Sequence, residues 1–384
     1  MQNFRFHNPT ILDFGKGTIA NLSTLVPKDA KVLMTYGGGS IKQNGVYDQV
    51  KTALKNHAVT EFGGIEPNPH YETCMKAVEL ARKEGITFLL SVGGGSTLDG
   101  TKFIAAAITF AGGDPWDILA KGAPVSSAVP VGCVLTLPAT GSESNGFAVV
   151  SRMDPLQKLA FFSELVYPKF SILDPETTYT LPPRQTANGV VDAFAHVLEL
   201  YLTYDVNAPL QDRQAEAILI TLVEEGPKAL ANPTDYDVRA NVMWSATQAL
   251  TGTIACGVPQ DWATHMIGHE LTALYGLDHG QTLAVVFPAT MQHCRIAKKS
   301  KLLKYADRVW GIRDGSEDAR IDAAIAKTEA FFRSLGVKTR LVEYGVTGGI
   351  ERVGQRIEAR GQKIGEHANL GREDIDAILG LCAK

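Results

Sequence analysis

Phe88-Leu89-Leu90-Ser91-Val92-Gly93-Gly94-Gly95-Ser96-Thr97 is the stretch that decides the fold class. Its first five residues are mostly apolar. They read as a strand covered on both faces, which needs no polar alternation. Three glycines end the run, and Thr97-Leu98-Asp99-Gly100-Thr101-Lys102 opens a helix. A strand that passes bare glycine backbone into a helix N-terminus presents N–H groups, and the positive end of the helix dipole, to an anion. The same pattern also serves as a tight strand–helix turn with no ligand. It is neither the spaced G-x-G-x-x-G fingerprint nor a P-loop, because no Gly-Lys-Ser/Thr follows.

The segments around it repeat the theme. Lys31–Tyr36 reads as a buried strand that ends in Gly37-Gly38-Gly39-Ser40. Helical spacing follows at Val46, Val50 and Leu54. Residues 59–62 form a short strand, Glu66-Pro67-Asn68-Pro69 a stiff turn, and residues 71–83 an amphipathic helix. Val131–Leu137 is a further strand, followed by a loop at Thr140-Gly141-Ser142-Glu143-Ser144. Such alternation implies a parallel sheet with helices on both faces. At Leu181-Pro182-Pro183 it stops, and helical periodicity takes over at 185–201, 210–225, 238–253 and 321–335. We therefore expect an α/β dinucleotide-binding domain over residues 1–180 and an all-helical, metal-binding catalytic domain over 181–384.

Composition narrows the function classes. A net charge of -4 provides no basic patch for nucleic acid. No apolar run is long enough to span a bilayer, and the first residues lack the pattern of a signal peptide. Cys74, Cys133, Cys256, Cys294 and Cys382 are widely spaced and include no C-x-x-C. They argue against a disulfide framework and for a reducing, cytoplasmic setting.

The helical half carries a histidine-rich stretch, Asp261-Trp262-Ala263-Thr264-His265-Met266-Ile267-Gly268-His269-Glu270, running on to Asp278-His279-Gly280. His265 and His269 are four apart and share a helix face, as do Asp192 and His196 upstream. Gly276 suggests that the helix stops before His279, which places that residue in a turn. One carboxylate and three imidazoles from two helices and a turn suffice for a divalent ion, though spacing alone does not choose among the histidines. The zinc-peptidase motif fails, since position 273 is Ala where a second His is needed.

The first glycine run bears on cofactor choice. No Asp or Glu lies between Thr35 and Ser40 to bind the adenosine ribose hydroxyls. Small residues leave room for a 2′-phosphate, Ser40 can hydrogen-bond it, and Lys42 can add charge. NADPH is expected over NADH.

Taken together, Gly93-Gly94-Gly95-Ser96-x-x-Asp99, Thr140-Gly141-Ser142-Glu143, Asp192-x-x-x-His196-x-x-Glu199 and His265-x-x-x-His269-Glu270 with His279-Gly280 resemble the iron-containing, or group III, alcohol dehydrogenase family. Glu66-Pro67-Asn68-Pro69, residues 135–140 and residues 257–265 look like its bacterial NADPH-dependent aldehyde reductase and butanol dehydrogenase branch. The likeness is weakest after about Gly336. Many relatives have Thr-Thr where this chain has Thr136-Leu137, which would make the Leu137 contact with adenine apolar.

The resemblance implies a dehydroquinate-synthase-like fold with the cofactor in the cleft between the domains. It assigns the metal, Fe2+ or Zn2+, to Asp192, His196, His265 and His279, and leaves His269 facing nicotinamide and substrate. It implies contacts of Gly37, Gly38, Gly39 and Ser40 with the 2′-phosphate, and of Asn68 on the adenosine side. Gly94, Gly95, Ser96 and Thr97 would hold the pyrophosphate, with Thr136, Leu137 and Thr140 bordering the adenine. Asp99, Ser142 and Lys158 lie toward the nicotinamide half, and a solvated surface lysine is the plain alternative for Lys158. His269 and Asp99 are the catalytic candidates, His269 as a proton relay in hydride transfer to a carbonyl polarised by the metal.

Phe147, Val149 and Trp262 are candidate walls of a substrate pocket, or else ordinary core. No cluster of Arg or Lys near the metal residues points to a phosphorylated substrate, so short uncharged aldehydes are expected. An NAD-dependent glycerol or diol dehydrogenase is the neighbouring alternative. A metal-dependent hydrolase or lyase would leave the glycine runs idle, and a non-catalytic nucleotide-binding protein would leave the histidines idle. Early strands at residues 4–7 and 11–14 could pair across a homodimer.

Overall fold

The computed structural model describes residues 1–383. The chain divides into two compact units. One comprises His7–Leu181 with Pro233–Met243, and the other Met1–Phe6, Pro182–Asn232 and Trp244–Lys384. The last strand ends at Leu173 and the main segment of the first unit at Leu181, while Met1–Phe6 counts with the helices and Pro233–Met243 with the sheet.

In the first unit the strands are β1 (Ile11–Phe14), β2 (Lys31–Tyr36), β3 (Ala58–Phe62), β4 (Phe88–Gly94), β5 (Val131–Leu137), β6 (Phe147–Met153), β7 (Leu156–Phe162) and β8 (Phe170–Leu173). Six of them make one sheet in the order β1-β8-β5-β4-β2-β3, and every pairing in it is parallel. Alternate residues of a strand serve opposite faces, and two cores result. Leu33, Leu89, Cys133 and Leu135 join one hydrophobic cluster, whereas Val32, Met34, Leu90, Val92 and Val134 join the other. β2 has β3 on one side and β4 on the other. The strand order therefore reverses at β2, and sheets of this kind receive ligands beyond the carboxyl ends of the strands at such a point. Both glycine runs lie there, one after β2 and one ending β4.

Local structure departs from the sequence pattern in three places. The second glycine run leaves no residue between strand and helix, because β4 continues through Gly94 and the next helix starts at Gly95. Packing requires this. A Cβ on Gly93 would overlap Thr97, one on Gly94 would press on Leu137, and one on Gly95 would collide with Thr140. Residues 4–7 form no strand; residue 2 instead donates its N–H to Gly257 O within the helical unit. The antiparallel hairpin of β6 and β7 was not anticipated by the βα alternation.

In the second unit the helices Pro183–Tyr201, Pro209–Ala231, Ala263–Tyr275, His279–His293 and Glu317–Ser334 supply the frame. The helix expected over 210–225 runs six residues further, through Gly226-Pro227. Gly226 lies against Val190, where a Cβ would sit 2.8 Å from Val190 Cγ1. The helix expected over 238–253 ends at Ala249, short of Gly252, whose φ of 93° breaks a helix. The segment after Gly336 has a clear task. Leu341, Val353, Ile357, Ile364, Ile375, Ile378 and Leu379 pack with Ala263, Ile267 and Leu271 into one core. Arg356 and Arg360 close on buried Glu270. The C-terminal segment thus braces the helix that carries His265 and His269.

Candidate active site

Helical periodicity places Asp192 and His196 on one face of Pro183–Tyr201, and His265 in the first turn of Ala263–Tyr275. His279 is not in a turn, as the spacing suggested; it is the first residue of His279–His293. Gly276, at φ 69°, ends the preceding helix, and Asp278 caps the next in a capping box with Gln281. Asp278 also accepts hydrogen bonds or charge from Asn188 Nδ2 at 2.7 Å and Arg184 at 3.0 Å. Gly280 permits this docking, since a Cβ there would lie 2.6 Å from Asn188 O.

Donor atoms of Asp192, His196, His265 and His279 all lie within 4.8 Å of one another. Asp192 Oδ1 is 3.5 Å from His196 Nε2, 3.9 Å from His265 Nε2 and 3.5 Å from His279 Nε2. Glu199 fixes His265 doubly. One oxygen, Oε1, accepts the His265 backbone N–H at 3.0 Å and meets ring Nδ1 at 2.9 Å. The other ring atom, Nε2, is buried and makes no hydrogen bond. Such a carboxylate–histidine pair aims the free nitrogen at a metal. Burial pulls the His265 imidazole down, but Asp192 and Glu199 outweigh it and push the metal-free ring up to about 9. Three imidazoles and one carboxylate without sulfur suit Fe2+ or Zn2+. The donors present fit such an ion.

His269 stands outside that group, with its ring 5.2 Å from the ring of His279. Trp262 holds a left-handed backbone, φ 63°, just before the Ala263–Tyr275 helix. Its ring meets His265 edge-on at 5.2 Å and His196 at 6.1 Å. Glu270, though next to His269, is turned away to Arg356 and Arg360.

The sheet unit gathers the other candidates around the Gly95–Thr109 helix. No side chain caps its first turn, and no acidic residue lies in that turn, so its N–H groups keep their affinity for an anion. Ser96 Oγ accepts the Asn68 N–H at 3.2 Å, and Asn68 Oδ1 accepts Lys158 Nζ at 2.8 Å. Lys158 is therefore a buried residue of β7, not a surface lysine. Asp99 accepts Ser142 Oγ–H at 2.6 Å and the Val149 N–H at 3.0 Å. Burial raises its carboxyl, opposed by Lys102 and by the Ser142 hydrogen bond. Thr140 Oγ1 accepts the Ser142 N–H at 3.2 Å, and Thr136 and Leu137 close the end of β5 beside it.

At the first glycine run, Cβ atoms on Gly38 and Gly39 would meet nothing within 4 Å, so the space beside Ser40 is open. Lys42 is engaged with Glu61 at 3.5 Å and lies over the Tyr36 ring. Phe147 is exposed and packs on Phe162 at 4.8 Å; Val149 is half-buried on the same strand. Spacing by itself does not reveal Glu199 as an orienter, Lys102 or the Arg356/Arg360 pair. Only Glu199 had a signal, its i+3 spacing from His196.

Residues 9–175 match the iron-containing alcohol dehydrogenase family, and residues 186–380 match the C-terminal region of the Fe-containing alcohol dehydrogenase family. The chain belongs to the iron-containing alcohol dehydrogenase family. It is 60% identical over 374 residues to the NADPH-dependent aldehyde reductase YqhD of Escherichia coli K12, covering 96% of this chain and 97% of that one. A probable NADH-dependent butanol dehydrogenase 1 of Bacillus subtilis is 40% identical, with 99% of each chain covered. The crystal structure of E. coli K-12 YqhD superposes with a TM-score of 0.98 at 58% identity, covering 100% of this chain and 99% of that one. An iron-containing alcohol dehydrogenase takes a metal and a nicotinamide cofactor, and the two clusters supply residues suited to each.

Proposed function

We propose that this family member reduces short-chain aldehydes to primary alcohols with NADPH, reversibly, at one divalent ion held by Asp192, His196, His265 and His279. The single observation that carries the reading is the convergence of those four donors in a buried site, with no hydrogen bond at His265 Nε2. When bound, the ion supplies a Lewis acid that draws electron density from a carbonyl oxygen. Glu199 keeps His265 in one tautomer. Trp262, packed on the imidazoles, excludes water and gives an apolar wall that suits an uncharged substrate. His269 holds the proton that the product oxygen needs. In the sheet unit, the uncapped turn at Gly95 takes the pyrophosphate, aided by Ser96 and Thr97. Gly37–Ser40 and Asn68 hold the adenosine side, while Asp99, Ser142 and Lys158 serve the nicotinamide half.

Loss of NADPH absorbance with a panel of short aldehydes, using protein loaded with Fe2+ or Zn2+, tests the reading. No loss with either reduced cofactor would leave a metal-dependent hydrolase or lyase. An NAD-linked reading has one finding in its favour, the NADH-dependent name of the B. subtilis relative. The ratio of kcat/KM for NADPH and NADH decides between them, and glycerol oxidation with NAD marks the diol dehydrogenase version.

The reading extends to a homodimer in the cytoplasm. β1 is a sheet edge with Ile11 and Phe14 exposed, a surface that proteins cover. Light scattering on the purified protein reads the assembly directly. The cysteines are all free thiols, and among the described residues no helix is long and apolar enough to cross a membrane.

A further inference from the structure

Lys102 sits one helical turn after Asp99, and its side chain is fully buried, 0% exposed. Five oxygens surround its ammonium. Ser142 O lies at 2.6 Å, Ser142 Oγ, Asn145 O and Phe147 O at 2.8 Å, and Asn145 Oδ1 at 3.3 Å. Three of these are main-chain carbonyls of one short stretch, which wraps the cation. An ammonium has three protons and no lone pair, so the five oxygens share it as they would share a desolvated metal cation. Four of the five carry no proton and can only accept. Burial pulls the ammonium down to about 8, with Asp99 and then Glu143 opposing; the surrounding oxygens favour the charged form.

A core that needed only volume would place Met or Leu here, because a buried ammonium is costly unless its donors are met. What Lys102 organises is specific. Ser142, caged by it, donates to Asp99 Oδ1, and Val149, two residues beyond the cage, donates to Asp99 Oδ2. Asn145 Nδ2 ties back to Gly141 O at 2.8 Å. Neutralising one cation would release the stretch from 142 to 149 and both partners of Asp99.

We propose that Lys102 is a positioning residue, a tethered cation that holds residues 142–149, and through them Asp99 and Ser142, in the arrangement that receives the nicotinamide half of the cofactor. The proposal rests on the role given above to Asp99 and Ser142. It assigns Lys102 the work that a bound potassium or ammonium ion would do among backbone carbonyls.

Two variants of the metal-loaded enzyme test it. K102M keeps the stem and removes the charge. It is expected to retain its metal, since the donors lie in the other unit, but to raise the KM for NADPH and lower kcat/KM by roughly a hundredfold, the scale of a small misplacement. Backbone amides of 142–149 should exchange with solvent faster. K102A leaves a space lined with oxygens, so ammonium or methylammonium should restore part of the lost activity while sodium at equal ionic strength does not. Parent-like kinetics and exchange in K102M, or a K102A deficit indifferent to ammonium, would overturn the proposal. If both variants fail to fold, K102A is refolded in ammonium or sodium chloride; recovery in ammonium alone supports the cage, and equal failure sinks it. Should the parent fail to oxidise NADPH with every aldehyde of the panel, the functional reading fails. The exchange of the 142–149 amides, with and without ammonium, then still judges the cage on its own.

Discussion

The junction at Gly93–Gly95 and the cluster at Asp192, His196, His265 and His279 are built by opposite means. The junction offers main-chain N–H groups, and its glycines are there because Thr97, Leu137 and Thr140 leave no room for a Cβ. The cluster offers side chains from three helices, and its precision depends on how those helices dock. A backbone site tolerates changes in chemistry and fails when volume is added. A side-chain site tolerates little change in chemistry at all.

The largest effect expected from that contrast is at His265. His265→Ala removes a donor and should strip the metal and abolish aldehyde-dependent NADPH oxidation; elemental analysis of the purified variant reads the first loss and absorbance the second. Retained metal with retained turnover would dissolve the distinction between the two regions.

His269→Ala comes next. It should lower kcat by roughly 10²–10⁴-fold, the usual worth of general acid–base help, with metal content unchanged. Metal lost from that variant would make His269 a ligand.

Glu199→Gln keeps size but weakens the hold on His265 Nδ1, and should cost roughly 10–100-fold in metal affinity. The pH dependence has a definite sign. In the metal-free protein the His265 ring is pushed up to about 9. The stability its proton contributes is fully present below the ordinary value near 6.5, and is lost as pH rises through 9. A ligand must be neutral, so metal affinity should climb between those values and binding should release a proton, measurable by titration in buffers of different ionisation heat. Pairing with Glu199 makes that climb shallower in Glu199→Gln.

The smallest effect concerns the junction. Gly95→Ala forces a methyl against Thr140, and overpacking of this kind costs about 1–3 kcal/mol of stability. Thermal unfolding should show it, and NADPH affinity should weaken while the metal stays. A variant that binds NADPH and melts like the parent would mean that the turn has room to spare.

Much of the fold was readable because it is periodic and local. Lys31–Tyr36 and Val131–Leu137 are mostly apolar runs, and both form strands with those limits. The β6–β7 hairpin escaped notice because Phe147–Met153 and Leu156–Phe162 mix exposed and buried positions without strict alternation. The glycines around His279 resemble helix stops and so suggest a turn; Gly280 is instead needed for close approach to Asn188.

From residue order alone come the donor types, the i,i+4 pairs and the βα rhythm, since a helix repeats every 3.6 residues and a strand every two, whatever surrounds them. Folding in three dimensions settles which donors meet. His279 reaches Asp192 across 87 positions because two helices pack closely at a glycine. Lys102 finds five oxygens on a stretch 40 residues away, and the C-terminal arginines find Glu270. Those approaches depend on the volume and shape of side chains from distant segments, and no spacing within a single segment encodes them.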